Sequence, residues 1–421
     1  MQKPGRSNGK IIFEKGGYLF TMNASDNQAS QLNIKITADF PWVRPHWTGI
    51  NKNIESVSIS PNGKRVLLSA RGEIISLPAD KGDFRNLTNS PGVADRNAAW
   101  SPDGKSICWF SDESGEYQLV LSDQFGNNKK KISISSPTFF YRPVWSPDSK
   151  FIAFYDANRV LWLYDVVTQK VTKIDEEGFA HPQHVIYAEW SPDSKWIAYT
   201  RRLTNEYSAI FIYSLAQNKS FQLTDGMADC KMPAWDASGK YLYFLSSTDY
   251  GMNVGWLDMS SYDHPINSAI YLVVLSKENP SPLAPESDEE EVKKEEKKDE
   301  KAAKEKKDKN DKEEKEDKVE PVKIDFDNIS TRMVALPVPV GKYQSIGAAK
   351  EGVIFYTLYD DVKNSLILSK YVIKERETKK LTEDVTDFTF HLAGISICTL
   401  QKAEIMFYQK QLVNQGLKIK P

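Results

Sequence analysis

Few stretches of this 421-residue chain combine residue types and spacings that could perform chemistry. Gly5-Arg6-Ser7-Asn8-Gly9 has the G-x-S-x-G spacing of a serine nucleophile. Such a serine needs a strand before it and a helix after it to hold the hydroxyl out on a tight elbow. Neither is legible here, so the match reads as chance. His181 and His184 stand in a His-x-x-His spacing, but no cysteine or carboxylate supplies a third ligand nearby. They read as loop residues bonding backbone, and no metal is expected. His46, His264 and His391 are isolated. Arg201 and Arg202 form an adjacent pair whose planar donors suit a substrate carboxylate. The plainer reading of the pair is a solvated hairpin. Asp103, Asp148 and Asp193 resemble a carboxylate set, but each sits in its own copy of one turn and should cap amides there. No glycine-rich phosphate cradle exists. No catalytic residue and no cofactor are therefore expected, and Arg201 and Arg202 are the substrate-binding candidates.

That turn is what the chain is organised around. It occurs as Ser60-Pro61-Asn62-Gly63-Lys64, Trp100-Ser101-Pro102-Asp103-Gly104-Lys105, Trp145-Ser146-Pro147-Asp148-Ser149-Lys150 and Trp190-Ser191-Pro192-Asp193-Ser194-Lys195. A fifth copy, Trp235-Asp236-Ala237-Ser238-Gly239-Lys240, looks decayed, with Ala237 in the proline slot. From Pro61 the intervals are 41, 45, 45 and 45 residues. A fixed period of that size marks a propeller or a solenoid. Each copy is followed by a branched and aromatic run such as Phe151-Ile152-Ala153-Phe154-Tyr155, which reads as a buried strand. A short strand ends on the tryptophan before it, and two more strands follow, with no helical periodicity between. Four strands per repeat make one blade of an all-β propeller.

Composition narrows the class further. The formal net charge is −2, so no broad field favours nucleic acid or an anionic membrane. Cys108, Cys230 and Cys398 are odd in number and far apart, which fits core residues rather than a disulfide framework. No apolar run approaches the roughly 18 residues of a membrane span.

Residues 1–49 fall outside the repeat register. Lys10–Glu14, Tyr18–Met22 and Gln31–Ile36 read as the later strands of a last blade from a preceding propeller, so Met1 should open partway through a larger architecture. Asp39-Phe40-Pro41-Trp42-Val43-Arg44-Pro45-His46-Trp47 reads as an extended crossing segment. Residues 50–421 then read as a seven-bladed ring, with four-stranded antiparallel blades at about 50–92, 93–137, 138–181 and 182–227 and a fifth from 228. The fifth is interrupted by an insertion at about 277–322. Within it, Glu286–Lys318 holds 28 charged residues in 33, with 12 lysines against 16 acidic residues. Such a tract cannot bury enough apolar surface to order itself and should be disordered. Arg332-Met333-Val334-Ala335-Leu336 reads as the start of blade six, and Asp387–Phe390 as the start of blade seven.

The Trp-Ser-Pro-Asp-Gly/Ser-Lys motif resembles the propeller repeat of the Tol-system periplasmic propeller, of prolyl-oligopeptidase-type propellers and of tricorn proteases. The passage from Gly16-Gly17-Tyr18-Leu19 to Phe40–Trp47 resembles the tricorn junction between first and second propellers. Ile324-Asp325-Phe326-Asp327-Asn328-Ile329 and Arg332–Pro339 are similar to the tricorn family's entry to blade six. This resemblance implies a non-catalytic seven-bladed ring that gates or docks peptides for a serine peptidase core lying outside this chain. It also implies a cytoplasmic protein whose partners are peptides, that core, or further copies in a homo-oligomer. The alternative is a free-standing interaction scaffold like the Tol-system propeller, which would be periplasmic.

Overall fold

Ser-Pro-Asp-Gly/Ser-Lys closes its turn with the same bonds each time. In blades two, three and four the serine hydroxyl donates to the aspartate Oδ1 at 2.6 Å (Ser101–Asp103, Ser146–Asp148, Ser191–Asp193). The same hydroxyl accepts the amide that starts the next strand, at Ser106, Phe151 and Trp196. The lysine amide donates to the same Oδ1. The residue before the lysine is left-handed in every copy, at Gly63, Gly104, Ser149, Ser194 and Gly239. The fifth copy is exchanged rather than decayed. Asp236 takes the serine's place and Ser238 the aspartate's, and Ser238 Oγ donates to Asp236 Oδ1 at 2.5 Å. The hydroxyl–carboxylate bond survives with its partners swapped.

The computed structural model describes residues 5–15, 17–41, 49–50, 53–178, 185–249, 265–285, 320–391, 396–401, 404–408 and 417–418. Packing divides the chain into Met1–Gly49 and Ile50–Pro421. The first unit is a four-stranded antiparallel sheet of Gly5–Ser7, Lys10–Lys15, Tyr18–Asn23 and Ala29–Gln31. Its outer strand was expected over Gln31–Ile36. The hairpin around Asn27, itself left-handed, instead sets the register at Met22↔Ala29 and ends the ladder at Gln31.

The second unit is a seven-bladed propeller. Blade one is Ile54–Ile59, Arg65–Ala70, Glu73–Pro78 and Arg85–Asn86. Blade two is Arg96–Trp100, Ser106–Ser111, Gln118–Asp123 and Lys130–Ile132. Blade three is Phe140–Trp145, Phe151–Asp156, Val160–Asp165 and Val171–Glu176. Blade four is Ala188–Trp190, Trp196–Arg202, Ser208–Ser214 and Lys219–Gln222. Blade five is Asp229–Trp235, Tyr241–Ser247, Ala269–Val274 and Met333–Ala335. Blades six and seven form one seven-stranded sheet that starts with Tyr343–Lys350, Val353–Asp360 and Ser365–Val372 and ends with Ser396–Gln401, Glu404–Tyr408 and Leu417–Lys418. The fifteen-residue strand Glu377–His391 between them serves both blades. Its first half pairs with Ser365–Val372 and its second half with Ser396–Gln401. The innermost strands of blades one to six neighbour each other in chain order, and Glu377–His391 meets Ile54–Ile59 to close the ring.

Blade six therefore begins later than the sequence suggests. Met333–Ala335 pairs with Tyr271–Val273 and is the outermost strand of blade five. The insertion separates the third and fourth strands of one blade, and a three-residue strand carries no rhythm by which to place it. Its two ends are built into the fold. Leu283 packs on the core of blades five and six, and Arg376 Nη2 donates to Ala284 O at 3.0 Å. Val322 is buried, and its amide donates to Asp193 Oδ2 at 2.9 Å. The tract Glu286–Lys318 lies outside the described residues, as does most of the crossing segment, 42–48.

Adjacent blades are tied by the same turns. Trp145, Trp190 and Trp235 donate their indole N–H groups to Ala99 O, Val144 O and Glu189 O, at 3.3, 3.0 and 3.1 Å. Each bond ties a motif tryptophan to a backbone carbonyl on the innermost strand of the preceding blade. The left-handed serines are tied likewise. Ser149 Oγ accepts from Asp103 N and Ser194 Oγ from Asp148 N, one blade back. A left-handed non-glycine residue costs about 1–2 kcal/mol, and this bond offsets part of it.

Close approach of blades fixes certain glycines. Gly126 has φ +80, and a Cβ there would stand 2.5 Å from Leu87 O of blade one. Gly115 has φ +91 with open space around it. Gly115→Ala should cost about 1–2 kcal/mol from backbone strain alone. Gly126→Ala should cost about 1–3 kcal/mol more, because a backbone carbonyl must move. Urea unfolding of the two variants checks this, and equal midpoints would show that the blades are not so tightly apposed.

Candidate functional site in the axial channel

The structure does not gather the residues that looked chemical in the sequence. Gly5–Ser7 is a strand, and Asn8 and Gly9 (φ +47 and +72) form the turn into Lys10–Lys15, so Ser7 sits on a hairpin and no helix follows. His46, His181, His184 and His264 lie outside the described residues, and His391 ends a strand. Among the described residues no group of histidine, cysteine and carboxylate side chains could hold a metal. Arg201 and Arg202 are neighbours on one strand and so leave it on opposite faces. Arg201 Nη1 lies 3.2 Å from Asp175 Oδ2 and its guanidinium lies over the Phe211 ring. Arg202 is buried and paired with Glu206, and its amide donates to Glu177 Oε1. The two guanidinium groups do not converge on one carboxylate position. Asp103, Asp148 and Asp193 each serve their own turn.

Chemistry converges instead on the innermost strands, whose open edges surround the propeller axis. Aligning the blades on the motif tryptophan shows how. Asn97, Arg142 and Met232 each stand three residues before it, and all three are left-handed, at φ +55, +48 and +54. Each lies at a register shift against the second strand of its blade. A bulge of this kind re-aims a side chain, and such bulges gather at barrel rims and functional sites. Charged residues cluster beside them: Glu55, Arg96 and Lys231 all stand four residues before the tryptophan position, and Glu189 one before it.

These charges are unequally paired. Arg96 Nε lies 3.0 Å from Glu55 Oε2 across blades one and two. Lys231 Nζ lies 3.5 Å from Asp229 Oδ2. Arg142 is exposed, with its guanidinium 5.0 Å from the centroid of the Tyr187 ring. Glu189, on the strand next to it, is open to the channel yet ringed by protein. Burial among those neighbours raises its pKa to about 7, against the opposing pull of Arg142. Carboxyl-carbon NMR should therefore find Glu189 titrating near neutrality, well above the ordinary 4.5. Arg142→Ala should move the midpoint higher still, since it removes the charge that favours the carboxylate. A midpoint near the ordinary value in the native protein would contradict this picture of the channel.

Residues 54–407 match the family described as the tricorn protease second beta propeller domain. The chain belongs to that family. It is 23% identical over 408 residues to the tricorn protease of Thermoplasma volcanium, covering 92% of this chain and 35% of that one. The crystal structure of the tricorn protease superposes with a TM-score of 0.68 at 17% identity, over 98% of this chain and 38% of that chain. The propeller domain of the trilobed protease from Pyrococcus furiosus, described as having an open velcro topology, gives a TM-score of 0.50 at 12% identity. It covers 88% of this chain and 98% of that domain. At these identities the solved structures show a shared fold. The chain spans about a third of the length of the curated relative it matches.

Proposed function

We propose that this tricorn-type propeller docks and admits peptide substrates through its axial channel, on behalf of a serine peptidase core outside this chain. The carrying observation is the channel wall, where the repeat places left-handed bulge residues and charges of both signs. Polar and charged groups at the mouth can hold a peptide by its backbone and side chains while the rigid ring sets the passage. The reading also places the protein in the cytoplasm, where Cys108 and Cys230, both free and buried, would stay reduced. Among the described residues no helix is long and apolar enough to cross a membrane. Association with the peptidase core, or of several copies with each other, belongs to the same proposal.

The test is photo-crosslinking of peptides carrying a benzophenone residue to the purified chain, with the sites mapped by mass spectrometry. Crosslinks should fall on the innermost strands around Glu55, Asn97, Arg142, Glu189 and Lys231. Crosslinks confined to the outer strands, or none, would overturn the channel reading.

A further inference from the structure

Building on the peptide-docking reading, we infer that Arg142 is a carboxylate-recognition point in the channel, favouring peptides with an acidic side chain or a free C-terminal carboxylate. Three cations stand on the innermost strands of blades two, three and five, and two are already neutralised. Arg96 is held by Glu55 at 3.0 Å and Lys231 by Asp229 at 3.5 Å. Arg142 has no ion pair or side-chain hydrogen bond among the described residues. Its contact is the face of Tyr187 at 5.0 Å.

The backbone points the same way. Arg142 is left-handed at φ +48, a conformation that a long side chain rarely adopts without return. Asn97 and Met232 share it at the same place in blades two and five, so the bulge belongs to the repeat. What is particular to blade three is that an arginine occupies the bulge between Tyr141 and Val144 and stands exposed there. An arginine lying against an aromatic ring keeps its edge N–H groups free, and those groups form the planar fork that matches a carboxylate with two parallel bonds. Tyr141, which precedes it, stacks on Tyr155 at 5.3 Å and stiffens the strand on that side. Glu189 limits the site to one anion at a time, since an ionised Glu189 competes for the same guanidinium.

The experiment measures Kd by fluorescence anisotropy for matched peptides on the whole chain. One pair differs by Glu against Gln in an otherwise neutral, capped sequence. The other pair differs by a free against an amidated C-terminus. The native protein should bind the charged member of at least one pair about 10-fold tighter, as expected for one charge-assisted contact. Whichever pair shows it identifies the source of the carboxylate. Arg142→Gly, which suits the left-handed backbone, should abolish the preference for the charged over the neutral member of the pair. Arg142→Lys should restore only part of it, because an ammonium cannot form the paired bonds. Equal binding of charged and neutral peptides, or a preference that survives Arg142→Gly, would overturn this assignment and leave peptide docking standing. Absence of binding by every peptide would overturn both.

Discussion

Trp190→Ala should destabilise the propeller by about 3–5 kcal/mol, the range for emptying a buried tryptophan site. Trp190 is 3% exposed and lies between blades three and four, stacked on Phe151 at 5.9 Å. It packs among Ile186, Ala188 and Ile197 with Tyr199 beside them. The loss has two physically separate parts. Removing the ring opens a cavity that two rigid sheets cannot collapse to fill. Removing the indole N–H also loses the 3.0 Å bond to Val144 O, which ties blade four to blade three. Trp190→Phe separates them, for it keeps most of the apolar volume and loses the bond, and should cost about 1–2 kcal/mol. Urea or thermal unfolding reads both variants. If Trp190→Ala fell within about 1 kcal/mol of the native protein, the motif tryptophan would not be the wedge that sets blade spacing.

Asp236→Ala should cost about 3 kcal/mol or more, because several buried donors lose their acceptor at once. The carboxylate is fully buried. Its Oδ1 accepts from the amide and hydroxyl of Ser238. Its Oδ2 accepts from Tyr243 Oη at 2.7 Å and from the amide of Gly352 at 2.8 Å. Gly352 belongs to blade six, so one carboxylate closes its own turn and ties two blades together. Burial, followed by the adjacent Asp236 charge, holds the Tyr243 hydroxyl protonated far above its usual range, which keeps it a donor. Tyr243→Phe removes one donor from the set and should cost only about 1 kcal/mol. Asp236→Asn should fall between the two, since an amide presents one acceptor oxygen where four donors converge. A small effect of Asp236→Ala, comparable to Tyr243→Phe, would mean that the exchanged turn is not a tie between blades five and six.

Much of this architecture is legible without coordinates. The 45-residue period, the Ser-Pro-Asp turn and the branched runs after it are local chemistry, and local chemistry survives translation into a fold. Blades one to four lie where the repeat puts them because each turn carries its own closing bonds. Legibility fails where a blade is assembled from distant pieces. Met333–Ala335 completes blade five from beyond the charged tract, and Glu377–His391 is shared by blades six and seven. Neither leaves a periodic trace. The candidate site was half visible. Glu55, Arg96 and Lys231 share one offset from the motif tryptophan and could have been found by aligning the repeats on it. The adjacent pair Arg201 and Arg202 drew attention by its type, yet each side chain has a carboxylate of its own.

The sequence by itself determined the strand order within the regular blades, the turn that joins their first two strands, and the family. These rest on bonds between residues a few positions apart, which any chain with that motif must form. Only the tertiary structure decided why Ser149 and Ser194 tolerate a left-handed backbone, since their hydroxyls answer amides one blade away. It alone decided that Asp236 and Ser238 exchange roles, and that Arg142 stands exposed on its innermost strand while Arg96 and Lys231 are matched. Those outcomes depend on distances between blades, and closure of the ring fixes such distances only once every blade is in place.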